Sequence, residues 1–327
     1  MTSRHFCTYF DHNYLPRGMV MLESLHEYCP QAHVHVLCLS EECHTALAKL
    51  DYPHVTLNRL GELETADKEL FAVKNTRSLI EYYFTITPCL PWHLLTVQGL
   101  SEITYLDADM LFFSSPEPLF NEAGDASVIL TPHRFPDPLK HLEVYGLFNV
   151  SWLTFRNTES GRACLAWYRD ACLAWCGDRL ENGRFADQKY LDHFPGRFGS
   201  THAIRHPGAG LAPWNMSDAQ VEEGEGGFST CGVPLVFYHA QGFKRILGPF
   251  YSSGLLEYGV GLESSGKRRV LAFYAKKYLL AEQTASRLLG KNTIVGVRGD
   301  GRRISPLSTA KMTIQEWYKK TLVVQYP

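Results

Sequence analysis

Between residues 103 and 113 the chain reads I-T-Y-L-D-A-D-M-L-F-F, two carboxylates one residue apart between two short apolar runs. Ile103 to Leu106 and Met110 to Phe113 have the length and composition of buried strands. Asp107 and Asp109 then fall at a strand end, where an open α/β sheet exposes its ligand crevice. Two like charges so close repel unless a cation sits between them. Hard oxygen ligands in that position suit Mg²⁺ or Mn²⁺ carrying phosphates. The competing reading is an acidic, solvated turn, and the D-x-D spacing alone does not separate the two. The apolar strands on both sides favour a site.

The elements before this stretch alternate. His5 to Phe10 reads as a strand, D-H-N-Y (Asp11 to Tyr14) as a turn, and Met19 to Leu25 as part of a helix. Val34 to Leu39 is a second strand, Glu41 to Leu50 a helix and Val55 to Leu57 a third strand. This β-α-β-α-β order calls for a mainly parallel sheet. Strand, polar turn, helix is also a nucleotide-binding entry. Asp11 and Asn13 could read the edge of a base while Tyr14 packs on its face; the same residues equally make an ordinary turn and helix cap. Residues 70 to 97 read as helix interrupted at Pro88 and Pro91. On it Lys74 and Arg77 lie one turn apart, facing either a diphosphate or solvent.

After the D-A-D stretch, Ser127 to Leu130 is another strand, and Gly146 to Arg156 (G-L-F-N-V-S-W-L-T-F-R) is an apolar strand interrupted by Asn149. A buried amide must bond backbone or face a ligand, because an unpaired one is expensive. Residues 160 to 180 form an amphipathic helix of core type, and Phe185 to Asp192 opens a further helix with Asp187 and Gln188 in its first turn. An Asp there also complements the helix dipole. Gly208 to Asn215 (G-A-G-L-A-P-W-N) is a punctuated loop able to wall a pocket. Leu235 to Tyr238 is the last strand, followed by H-A-Q-G-F-K-R, His239 to Arg245.

Composition sets the class. With 327 residues and 45% hydrophobic content the chain can build a sizeable core. No run approaches 18 apolar residues and M-T-S-R-H-F-C-T-Y-F is not a signal peptide, so neither export nor a membrane span is expected. The N-V-S and N-M-S sequons at Asn149 and Asn215 are discounted accordingly. Nine cysteines without C-x-x-C spacing predict reduced, buried thiols in a cytoplasmic protein. The net charge of −2 hides an asymmetry, since residues 264 to 327 hold 13 Lys/Arg against 3 Asp/Glu. A basic, aromatic tail on an acidic body favours an anionic membrane surface over nucleic acid as partner, the alternative being a helix that packs on the body and shows its lysines to water.

In their order, these pieces resemble the GT-A nucleotide-sugar glycosyltransferases, specifically glycosyltransferase family 8 and its relatives. The likeness covers roughly residues 5 to 246. It runs through D-x-N-Y (Asp11, Asn13, Tyr14), Y-L-D-x-D (Tyr105 to Asp109), F-N-x-G as Phe148-Asn149-Val150-Ser151, D-Q as Asp187-Gln188, and H-x-x-G-x-x-K as His239, Gly242 and Arg245. Three positions depart from the family pattern. Ser151 replaces a glycine, Arg245 stands where the family has lysine while Lys244 is one place early, and Phe84 stands where Y-Y-R has arginine.

The resemblance implies a GT-A-type, Rossmann-like α/β fold with a mainly parallel sheet flanked by helices; the basic C-terminal helical extension lies outside the matched region and is read from its own charge and apolar pattern. It divides the chain into a catalytic domain over 1–250 (nucleotide half about 1–113, acceptor and sugar half about 114–250) and the extension over 251–327. It implies a metal-dependent, retaining transfer of a hexose from a UDP-sugar to a glycan or lipid-linked acceptor, in assembly of a bacterial surface polysaccharide or lipopolysaccharide. The protein would lie in the cytoplasm or on the inner leaflet of the cytoplasmic membrane. Asp107, Asp109 and His239 would hold Mn²⁺ or Mg²⁺, the imidazole favouring Mn²⁺. Asp11, Asn13, Tyr14, Lys74, Arg77 and Lys244 or Arg245 would contact the nucleotide. Asp187 and Asn149 would bond sugar hydroxyls. Gln188 would face the anomeric carbon, an amide being a dipole rather than a good nucleophile; Asp187 as nucleophile is a variant. Two other classes stay open. A nucleotidyltransferase shares the sheet but wants a Gly-rich triphosphate loop that D-H-N-Y-L-P-R-G does not supply, and a non-catalytic sugar-nucleotide or glycan-binding module would lack turnover.

Overall fold

The structure, a computed structural model, describes residues 4–262, 264–290 and 306–326. Lys291, Arg298, Arg302 and Arg303 of the basic extension lie outside the described residues. The chain opens with β1 (Arg4–Phe10), α1 (Leu15–Tyr28), β2 (Ala32–Cys38), α2 (Glu41–Leu50) and β3 (Val55–Arg59). Short helices α3 (Leu60–Ala66) and α4 (Lys68–Val73) and the longer α5 (Leu79–Thr96) lead into β4 (Glu102–Leu106). Then come β5 (Met110–Phe112), α6 (Glu117–Ala123), β6 (Val128–Pro132), β7 (Phe148–Arg156), α7 (Glu159–Ala174), α8 (Phe194–Arg197) and β8 (Thr201–Ala203). A small three-stranded sheet of β9 (Val221–Gly224), β10 (Gly227–Thr230) and β11 (Val233–Pro234) precedes β12 (Phe237–His239), β13 (Lys244–Leu247) and β14 (Phe250–Ser252). The chain closes with α9 (Ser265–Leu289), α10 (Pro306–Tyr318) and β15 (Leu322–Val324), the last pairing with β14.

The main sheet has seven strands in the order β3-β2-β1-β4-β7-β6-β8. β3, β2, β1 and β4 run parallel, β7 runs antiparallel to both neighbours, and β8 is parallel to β6. This is the mainly parallel α/β architecture expected from the alternation of elements, with helices on both faces. On one face α1, α2 and α9 cover an apolar layer that includes Phe6, Leu22, Val36, Phe112, Trp152 and Phe237. On the other, α5 and α7 enclose Leu37, Tyr82, Ile103, Leu153, Phe155 and Tyr168. All eight cysteines other than Cys231 are buried and none of the nine is bridged.

One local feature differs from the sequence reading, and α9 follows one of the two readings left open for the basic extension. The break expected at Pro88 and Pro91 falls instead before Leu79, where Ser78 and Glu81 form a capping box, and α5 runs on through both prolines. Neither proline can donate to the carbonyl four residues back. Both are buried under the α5–α7 layer, and packing of the surrounding face outweighs the lost bonds. The first half of the basic extension is also part of the body. α9 turns Val270, Leu271, Tyr274, Ala275, Tyr278 and Leu279 inward against α1, while Lys277 and Arg269 pair with Glu27 and Glu223 on its outer side. A Cβ at Gly266 would fall 1.9 Å from Val221 O, so the first turn of α9 lies flush on β9. No helix among the described residues is long and apolar enough to cross a membrane.

Histidines crowd the β1–β2 edge. His35, buried with Nδ1 unpaired, is pushed down to about 4 by burial and by its neighbours His33 and His5. The unfolded chain would protonate near 6.5, so the stability carried by neutral His35 is complete above that pH and is lost as pH falls through 4. We expect the unfolding free energy from urea titrations to fall over this window, and the fall to be smaller in His35→Gln by roughly 2 to 3 kcal/mol. An identical pH slope in the two proteins would rule this out.

Candidate active site

Strand ends, one face of α5 and several loops converge on one cavity of about 600 Å³. At the end of β1, the Asp11 carboxylate accepts from the backbone N–H of Asn13 (2.9 Å) and Tyr14 (3.2 Å) and from Asn13 Nδ2 (2.9 Å), which shapes the turn into α1. At the end of β4, the Asp107 N–H donates to Ser151 O of β7. The histidine arrives by strand pairing. β12 runs antiparallel to β5 with His239 opposite Met110, and the Ala240 N–H donates to Asp109 O, so 130 residues of intervening chain end beside the D-A-D turn.

His239 Nε2 lies 3.1 Å from Asp109 Oδ1 and 3.6 Å from Asp107 Oδ2. One ligand atom from each of the three lies within 4.8 Å of the others. Burial pushes Asp107 up to about 6, with His239 opposing and the Asp109 charge adding. Burial acts the same way on Asp109, but His239 and Arg17 hold it below the ordinary carboxylate value. His239 is held above its own value against burial by Asp109 and Asp107. A half-buried and a buried carboxylate with a buried imidazole, all converging at ligand distance, fit a divalent cation. Tyr105 donates its hydroxyl to Asp107 Oδ1 (2.9 Å) and so orients one of the carboxylates from behind.

The opposite wall is amide-rich. Asn149 of β7 donates from Nδ2 to Gln188 Oε1 (3.1 Å). Gln188 opens a short 3-10 helix, Gln188–His193, with Asp187 at its cap rather than inside its first turn. Asp187 is 2% exposed, and burial pushes it up to about 7, eased by the Thr87 hydroxyl and raised by Asp107. Phe135, Tyr145, Phe185, Trp214 and Tyr258 complete this side, while Tyr9, Leu39, Ile80, Tyr83 and Phe84 line the side nearer Asp11 and Tyr14.

The structure therefore brings Asp11, Tyr14, Asp107, Asp109, Asn149, Asp187, Gln188 and His239 to one cavity. Asn13 sits behind Asp11. Lys74 is bound to Glu64 (2.7 Å), and Arg77 donates to Thr85 Oγ1 and Leu173 O; neither lines the cavity. Arg245 is bound to Glu282 of α9 (2.7 Å) and Gly248 O, and Lys244, beside it, forms no ion pair with a described residue. An arginine whose field does reach the carboxylates is Arg17, which no motif marks. Its guanidinium lies over the Tyr14 ring (4.4 Å) and donates to Phe243 O (2.7 Å), and its field reaches Asp109. The signal for it in the sequence is that an arginine in the first turn of a helix opposes the helix dipole, which asks for a separate reason. His133 was equally silent.

Strand order, the D-A-D turn at the end of β4 and the histidine returned by β12 define a mainly parallel α/β protein with a candidate divalent-cation site. No protein-family model matches the chain. Over 250 residues it is 31% identical to the uncharacterized protein YfnD of Bacillus subtilis (strain 168), covering 75% of this chain and 80% of that one, and it belongs to the same family. YfnF of the same organism is 29% identical over 255 residues, covering 75% and 83%. Similar solved structures include the galactosyltransferase LgtC with donor and acceptor sugar analogs (TM-score 0.49, 17% identity, 73% of this chain and 87% of that one). Another is apo mouse xyloside xylosyltransferase 1 (TM-score 0.48, 14% identity, 74% and 98%).

Proposed function

We propose that this protein is a metal-dependent glycosyltransferase that moves a hexose, with retention, from a UDP-sugar to a glycan or lipid-linked glycan acceptor, in assembly of a bacterial surface polysaccharide. One observation carries the reading: the Asp107, Asp109 and His239 ligand atoms share a cavity with Asn149, Asp187 and Gln188. A cation held by the first three supplies Lewis-acid stabilisation of a departing diphosphate. Asp11 and Tyr14 then meet the nucleoside, Tyr14 with its ring and Asp11 with a carboxylate already fixed by the turn. Arg17 adds positive field on the leaving-group side, while Lys74, Arg77 and Arg245 must leave their present partners to contribute and Lys244 must turn toward the cavity. Asp187 and Asn149 bond sugar hydroxyls, and Gln188 presents its amide dipole to the anomeric carbon. In this scheme residues 1–113 serve the nucleotide and 114–250 the sugar and acceptor. Within 251–327, α10 and β15 meet an anionic membrane surface with Ile314, Trp317, Tyr318 and Tyr326, all exposed, beside Lys319 and Lys320.

The test is a thermal-shift panel of UDP-, GDP-, dTDP- and CMP-sugars with and without Mn²⁺. A ligand that binds only the folded state raises Tm, by an amount equivalent to about 2.7 kcal/mol at a hundredfold excess over Kd. The expected result is a shift for a UDP-sugar that requires the cation. No shift with any nucleotide would favour a glycan-binding module instead.

A further inference from the structure

His133, at the end of β6, carries no motif, is 4% exposed, and touches every segment of the amide wall. Its backbone carbonyl accepts from Trp214 Nε1 (2.8 Å) and Asn215 Nδ2 (3.0 Å). Its ring stacks on Phe135 (4.7 Å, 11°) and takes the edge of Trp214 (5.2 Å). These contacts fix the plane of the imidazole, with Nε2 3.2 Å from Asn149 Nδ2.

The hydrogen bonds around it fix which atom donates. Asn149 Oδ1 accepts from the Ser151 N–H (3.0 Å), so the other end of that amide is Nδ2, a donor only. Nδ2 donates to Gln188 Oε1 and to His133 Nε2. Nε2 then carries the lone pair, which puts the proton of the neutral ring on Nδ1, a buried nitrogen with no hydrogen-bond partner among the described residues. Burial pushes His133 down to about 3, so the ring keeps that form throughout the ordinary pH range. With its oxygen engaged by Asn149, Gln188 directs Nε2 to Tyr145 O (3.3 Å). A Cβ at Gly146 would fall 3.2 Å from Gln188 Cγ, which closes the remaining space.

We propose that His133 is a positioning residue: its Nε2 lone pair holds the Asn149 amide, and through it the Gln188 amide, in the orientation offered to the donor sugar. This rests on the cavity being a sugar-nucleotide site. A neutral acceptor is what the position requires, since an imidazolium would present a donor to a donor.

The test compares His133→Phe, which keeps a ring and loses the acceptor, with His133→Gln, whose Oε1 reaches the place of Nε2. His133→Phe is expected to lower kcat about 10- to 100-fold with little change in KM for the nucleotide sugar, and His133→Gln to restore most of it. Should the phenylalanine not be accommodated, His133→Leu reads the same lost acceptor. Equal losses in the Gln and acceptor-free variants, or wild-type kcat in the latter, would overturn the proposal. A second readout needs no substrate: in ¹⁵N-labelled protein, the Asn149 side-chain NH₂ should exchange with water faster in His133→Phe and not in His133→Gln. If that exchange behaves as expected and no nucleotide sugar is turned over, the glycosyltransferase reading falls and the positioning network stands. Unchanged exchange overturns the network itself.

Discussion

Asp109→Ala is expected to lower kcat/KM by at least about 10³-fold, about 4 kcal/mol in the barrier, and to remove Mn²⁺-dependent nucleotide binding. Asp109 is the member of the carboxylate pair held below the ordinary value, by His239 at 3.1 Å and by the Arg17 field, so it is the charge present before any cation arrives. Without it, the ligand atoms left are one Asp107 oxygen and the His239 nitrogen, 3.6 Å apart and too few to hold a hydrated hard cation firmly. Steady-state kinetics with the best nucleotide sugar, together with Mn²⁺ titration calorimetry, measure both effects. Activity within tenfold of wild type would move the chemistry away from the D-A-D turn. The same variant separates the rival classes, since a binding module has no turnover to lose.

The second large effect is on folding. Truncation after residue 263 removes α9 and exposes the surface that Val270, Leu271, Tyr274, Tyr278 and Leu279 cover. At roughly 1.5–3 kcal/mol for each such side chain the loss is about 8–15 kcal/mol, as large as the whole stability of a typical domain. The fragment 1–263 is expected to show no cooperative thermal transition by circular dichroism and to aggregate on size exclusion. A cooperative transition within about 5 °C of the intact chain, a shift worth only 1 to 2 kcal/mol, would mean that the α9 layer contributes little. The membrane contact is therefore read from a substitution outside that layer: Trp317→Glu, at an exposed position, should lose cosedimentation with anionic vesicles while keeping the wild-type Tm.

Asp107, Asp109, Asn149, Asp187 and Gln188 were legible because each sits in a local pattern, a polar residue at a fixed place in or beside an apolar run. His239 was legible for the same reason, at the end of the apolar run Leu235 to Tyr238; the reading of that run as the last strand did not hold, since β13, β14 and β15 follow it. The cations were harder. Lys74 and Arg77 share a face by helical spacing, yet spacing says nothing of Glu64 or of the Leu173 carbonyl, 96 residues away, that engage them. Arg245 similarly meets Glu282, 37 residues on, in a helix that reads as surface from its lysines. The course of α5 through Pro88 and Pro91 was hidden too, because the packing that outweighs two missing backbone bonds comes from α7.

By itself the sequence determined the alternation of strands and helices, the strand-end carboxylate pair and the helix-start D-Q, all of which depend on residues within a few positions of one another. Tertiary structure decided which charges face the cavity and which are neutralised elsewhere, that α9 completes the core, that His133 lines the cavity and that the Arg17 field reaches Asp109. Those outcomes depend on a handful of long-range pairings, of which the β5–β12 register that sets His239 beside Asp109 is the plainest. A buried charge or amide takes whichever partner the folded chain brings within about 3 Å, because leaving it unpaired costs more than any local preference.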